Sequence, residues 1–178
     1  SGNAPLSLGS FDLLETTTLT TSASSVTFSS LSTYAADYKH LQVRWLGRTT
    51  RASSTDLIKL TLNGDSGNNY AFHLLSGGGS TPYPTGFSSQ NHIRMGHLPA
   101  ATAPAGNFGA GVIDILDPFA TTKNTTLRSL SGATSPNEVK FGSGLWMNTA
   151  ALTTLTFDKL DGNYVAGTRF SIYGIKGA

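Results

Sequence analysis

Gly167-Thr168-Arg169-Phe170-Ser171-Ile172-Tyr173-Gly174-Ile175-Lys176-Gly177-Ala178 ends the sequence with a strand pattern. Side chains alternate across a strand with period two, so Phe170 and Ile172 share one face and Arg169, Ser171 and Tyr173 the other. An aromatic, β-branched strand of this kind needs neighbours on both sides, because as an edge it would recruit further strands. It reads as a closing strand locked into the sheet of an all-β body.

Working back from it, the same chemistry recurs with turn residues between. Strands are predicted over residues 11–20, 25–31, 38–49, 56–62, 69–75, 88–98, 108–116, 125–130, 138–147, 152–157 and 168–175. In the third, Leu41, Val43 and Trp45 alternate with Gln42 and Arg44; in the fourth, Ile58 among Leu57, Leu60 and Leu62 suggests burial on both faces. Asn63-Gly64 supplies the positive φ angles of a tight hairpin turn, and Asp161-Gly162-Asn163 a second reversal. Asp117-Pro118 predicts a single helical turn through Thr122. About ten short strands spaced by turns indicate an antiparallel two-sheet sandwich, jelly-roll-like, over residues 11–178, preceded by a flexible arm at 1–10. Its core should include Phe28, Val43, Trp45, Leu60, Phe72, Ile113, Ile115, Phe157, Phe170 and Ile172.

Composition narrows the function classes. Charged residues make up 12% of the 178, against about 25% in ordinary soluble domains. Ser and Thr together number 45. Such a surface can meet a neighbour without stripping water from many charges, which suits a permanently assembled protein; equally, Ser and Thr fill solvent-facing strand and turn positions. The net charge of +2 carries no basic run with interleaved aromatics, so nucleic acid is not an expected partner. Cysteine is absent, removing disulfides and thiolate metal sites. No segment approaches the length of a membrane span, and Ser1 to Pro5 lacks the regions of a signal peptide. Synthesis in a bacterial cytoplasm without membrane insertion is the expectation.

Val26-Thr27-Phe28-Ser29-Ser30, Tyr38-Lys39-His40-Leu41-Gln42-Val43-Arg44, Leu62-Asn63-Gly64-Asp65 followed by Asn69-Tyr70-Ala71, Val112-Ile113-Asp114-Ile115-Leu116-Asp117-Pro118 and the closing strand occur in a distinctive order. Together, over residues 11–177, they resemble small structural, fibre or capsid-surface proteins of tailed marine and cyanobacterial bacteriophages. The resemblance implies a non-enzymatic protein on the virion surface that self-associates, as a homotrimer, and contacts the major capsid protein or other virion proteins. Capsid decoration or cement is the first expectation, because only a ten-residue arm precedes the sandwich. A receptor-binding fibre tip for a host-surface glycan or protein is the second, and a carbohydrate-active enzyme the third.

Catalytic patterns are weak. Gly142-Ser143-Gly144 lies inside a strand rather than at a nucleophile elbow. His92 and His97 fall on opposite faces of one strand, as do Asp114 and Asp117, so neither a metal pair nor a glycosidase carboxylate pair is expected. Asp114 reads as a satisfied polar group near a sheet edge. The run Gly77-Gly78-Gly79 lacks the following residues of a phosphate loop. Asp65, Asn68 and Asn69 could offer oxygens to a hard cation or simply form a turn. No catalytic residue, metal or cofactor is assigned.

Three regions are candidate contacts. Residues 76–87 lack strand character and present Tyr83 between two prolines, with Phe87 beyond; they could form a binding tip or merely cover the sandwich end. Pro5, Leu6 and Leu8 in the arm could order against a neighbouring subunit. His40, Arg44 and Arg48, extended by Arg51, could make a basic face for an acidic neighbour, or the solvated side of a half-buried strand.

Overall fold

β-branched and aromatic residues at every second position fill one side of a pleat, and this pattern governs the chain from Phe11 onward. The computed structural model describes residues 9–134 and 137–177. Its larger sheet has eight strands, in the order β1 (Phe11–Thr18), β12 (Arg169–Ile175), β3 (His40–Gly47), β8 (Gly109–Leu116), β9 (Thr125–Thr134), β10 (Asn137–Trp146), β5 (Tyr70–Gly78) and β6 (Thr81–Gln90). The smaller has four: β2 (Val26–Phe28), β11 (Leu155–Lys159), β4 (Thr55–Leu62) and β7 (Ile93–Pro99). Every pairing is antiparallel, and the two sheets form a jelly-roll-like sandwich.

The closing strand occupies the predicted place. β12 lies between β1 and β3, with Phe170 opposite Trp45 and Ile172 opposite Val43. Phe170 crosses the gap between sheets, stacking on Phe157 at 4.6 Å and meeting Tyr164 edge-on at 5.5 Å. All ten predicted core residues are buried, none more than 3% exposed.

Trp45 shows how tightly the layers meet. A Cβ at Gly111 or at Gly96 would lie 2.7 Å from its indole ring. These two glycines make the slot that holds the ring. Gly111→Ala should therefore cost about 1 to 3 kcal/mol through overpacking, read as a lowered denaturation midpoint with an unchanged m-value.

Several local readings are corrected. Asp117 to Thr122 forms a turn, closed by the Ala120 amide donating to the Asp117 carbonyl, and the helical segment among the described residues is a 3-10 turn at Leu31–Tyr34. Asn63 and Gly64 do take positive φ values of 53° and 66°. They carry the chain from β4 in one sheet to β5 in the other, so they make a crossover rather than a hairpin. In β4 only alternate positions, Asp56, Ile58, Leu60 and Leu62, are buried, leaving Leu57 on the other face. The predicted strand at 88–98 is broken by Asn91 and His92 into the end of β6 and the start of β7.

The largest correction is at 76–87. This stretch is the β5–β6 hairpin, turning at Gly79, whose φ is 84°. β6 is an edge strand, and Pro82 and Pro84 are two residues apart, so both missing N–H groups fall on one side, the unpaired one. The other edges are also irregular. β2 has three residues, and the β1–β12 and β4–β7 pairings each carry a register shift, as does β5–β6.

Candidate binding face

The inner faces of both sheets fill the core, which leaves the outer face of the eight-stranded sheet without a covering layer among the described residues. Its residues are those a solvated face would not choose. In β10 the alternation is inverted: Val139 and Phe141 point outward while Glu138 and Lys140 are buried. The buried pair is stable there because its polar atoms are matched. The Lys140 ammonium lies 2.9 Å from Glu138 Oε1 and 2.6 Å from Ser76 Oγ, and His97 Nδ1 lies 2.6 Å from Glu138 Oε2. Tyr83 also donates its hydroxyl to Glu138.

On the outer face two rows run across the central strands. One is apolar, pairing Val112, Leu130, Phe141, Leu75 and Pro84 in register. Phe141 is 57% exposed, Leu75 52% and Leu130 43%. Beside it runs a polar row: Gln42, Asp114, Arg128, Ser143 and His73. Gln42 Nε2 donates to Asp114 Oδ1 at 2.8 Å, Arg128 Nε to Asp114 Oδ2 at 2.8 Å, and Arg44 Nε to Gln42 Oε1 at 3.1 Å. Between the rows lies a cavity of about 830 Å³, lined by β5, β6, β8, β9 and β10. Five adjacent strands line it from one side, so the sheet face is hollowed at this point; the volume is in the range of small-molecule sites.

The predicted site residues are dispersed. Tyr83 faces the interior side of β6, against Glu138 and under the Lys140 ammonium, and Phe87 packs on Phe72 at 5.3 Å and on Arg94 at 5.1 Å. Both remain exposed, at 45% and 38%, but on an edge strand rather than at a loop tip. The basic face is not formed either. His40 Nδ1 accepts the Asp117 amide, Arg48 donates to carbonyls of Ala101, Ala103, Pro104 and Asn107, and Arg51 donates to the Thr55 carbonyl. Arg44 alone of the four faces the uncovered sheet, its guanidinium over the stacked rings of Phe11 and Tyr173. Pro5, Leu6 and Leu8 lie outside the described residues.

Asp114 sits mid-sheet on β8 rather than near an edge. Asp117 lies beyond that strand, bonded to Lys123, so the two carboxylates do not face each other. Asp65 accepts N–H groups from Trp146 at 2.8 Å, Gly67 at 2.9 Å and Asn69 at 3.0 Å. The Trp146 bond, followed by that of Asn69, holds its pKa below the usual carboxylate value. Donors surround this carboxylate, so it is a structural anchor and the cation-ligand arrangement is not formed. Among the described residues no group of three or more His, Cys, Asp or Glu could hold a metal, and no helix is long and apolar enough to cross a membrane.

Arg128, Phe141, His73 and Leu130 were not singled out from sequence. The one local signal was Glu138-Val139-Lys140-Phe141, whose alternation does not reveal which side is inside.

An all-β sandwich with an uncovered, concave sheet face is the class that strand order and groove define. No protein-family model matches the chain, and no curated protein matches it. Among solved structures, the galectin LEC-6 of Caenorhabditis elegans is similar at 7% identity, over 91% of this chain and 96% of that one, with a TM-score of 0.36. Chicken galectin 2 is 12% identical over 82% and 96%, TM-score 0.30. The CBM40 of a Ruminococcus gnavus IT-sialidase, bound to α2,6-sialyllactose, is 8% identical over 89% and 90%, TM-score 0.31.

Proposed function

We propose that this chain is a non-enzymatic bacteriophage virion protein that acts by binding, through the concave outer face of its eight-stranded sheet. The groove of about 830 Å³ between an apolar and a hydrogen-bonded polar row carries the binding part of this reading. Support for the virion part is the ordered set of motifs between Val26 and Ile175. A groove of ligand size favours a receptor-binding role at a host surface. Exposed apolar side chains beyond the groove, Phe11 and Leu13 at β1, favour the second reading, a capsid decoration or cement protein whose face is covered by the major capsid protein or another copy.

Cryo-electron microscopy of intact particles tests both. A receptor-binding role expects the sandwich at the particle surface with the groove open to solvent; a cement role expects it pressed on a neighbouring chain. Absence of the protein from purified particles overturns the virion reading. Self-association, as a trimer, expects an interface above roughly 1,000 Å². A monomer in sedimentation at micromolar concentration, with no such contact on the particle, would remove it.

A further inference from the structure

We infer that the groove is a carbohydrate site, and that the oligosaccharide it takes carries a carboxylate. This rests on the contact face proposed above and assigns its ligand. A pyranose ring has one apolar face of C–H groups and a rim of hydroxyls. It needs an aromatic or aliphatic floor next to fixed hydrogen-bonding groups. The groove offers that combination: Phe141 is the most exposed of the large apolar side chains among the described residues, with Leu130 and Leu75 flanking it in register.

Arg128 and Asp114 stand one row away. Asp114 is held by Gln42 on one oxygen and by Arg128 Nε on the other, so both groups are positioned before any ligand arrives. Each carboxylate oxygen keeps acceptor capacity for a sugar hydroxyl.

The carboxylate preference comes from Arg128. Its side chain is 71% exposed, its Nε is committed to Asp114, and its terminal nitrogens make no bond among the described residues. A guanidinium oriented in this way offers a two-pronged fork that matches a carboxylate. Asp114 is the one carboxylate lining the groove, and Arg44 stands two residues along β3 from Gln42, so an anionic ligand meets no excess of like charge. A peptide adding to a sheet would use an edge, because a sheet's face presents no free backbone donors.

The test is binding of the purified protein to an array of oligosaccharides, some containing uronic or sialic acids and some neutral, followed by calorimetric titration of the best ligand. Binding to acidic members is expected, with neutral counterparts at least roughly tenfold weaker. Phe141→Ala and Arg128→Ala should each lower affinity roughly tenfold or more, leaving the thermal midpoint near that of the unaltered protein. Leu13→Ala, at the far edge of the same face, should bind as the parent does. Retention of full affinity by both groove variants, equal binding of neutral ligands, or no binding by any member would overturn the inference. If no sugar binds while particle maps show the groove against another chain, the ligand assignment fails and the contact-face reading stands. If the groove variants change neither sugar binding nor particle attachment, both fail.

Discussion

Replacing Phe170 with alanine should remove about 3 to 5 kcal/mol of folding stability, the range for truncating a buried aromatic ring. The ring is fully buried, stacks on Phe157 of the opposite sheet and meets Tyr164 at its edge, so two aromatic contacts depend on it. Urea denaturation followed by tryptophan fluorescence would measure the loss, since Trp45 is its cross-strand neighbour. A cost under about 1 kcal/mol would mean that the layer collapses to fill the void or that this register is wrong.

Glu138→Ala should be comparably costly, about 3 to 5 kcal/mol, because it strands the Lys140 ammonium in a site where both side chains are nearly excluded from water. Replacing both partners, Glu138→Leu with Lys140→Met, should recover much of that loss, since an apolar pair leaves no unmatched charge. Burial alone would raise the Glu138 pKa. The bonds from Tyr83 and Lys140 and the nearby charges outweigh it, and the net shift is downward. His97 is shifted down chiefly by burial and then by Lys140, and His92 is pushed down to about 4 by burial and by Lys59 and Arg94.

For all three groups the folded pKa lies below the unfolded one, so on acidification the unfolded chain takes up protons first. Their stabilisation is present above the unfolded pKa, which for the histidines is 6.5. It drains as pH falls from there toward about 4. Denaturant midpoints measured from pH 8 to pH 4 should be level at the alkaline end and fall below about 6.5. A midpoint that rises on acidification would contradict the placement of these side chains.

What could be read from sequence was what alternation encodes. Leu41, Val43 and Trp45, or Phe170 and Ile172, name their own buried face. A residue set of this kind needs no knowledge of its partners. Sheet assignment does need it: Asn63-Gly64 makes the same local turn whether the next strand pairs with the last or crosses to the other sheet. Residues 76–87 misled because glycine and proline are counted against a strand, whereas on an unpaired edge a missing N–H costs nothing. Arg48 gave no sign of its role because its partners are four carbonyl oxygens, which any residues could supply. The groove was illegible for a related reason. Its walls come from five strands spread between His73 and Ser143, and each residue alone looks like an ordinary exposed side chain.

The four sheet edges have a consequence for how such a protein changes over time. One edge strand is three residues long, one carries prolines, and the pairings of β1, β6 and β7 each slip register. Each edge of the described fold therefore carries a feature that disfavours backbone-to-backbone extension. Recognition by side chains on the sheet face is favoured over recognition by backbone pairing, and that face contributes little to folding. Specificity of that kind can be rewritten one codon at a time while the scaffold stays intact. Lineages carrying this sandwich should thus diverge fastest at positions such as Arg128, Leu130 and Phe141, and slowest where Phe170, Trp45 and the glycines around it interlock.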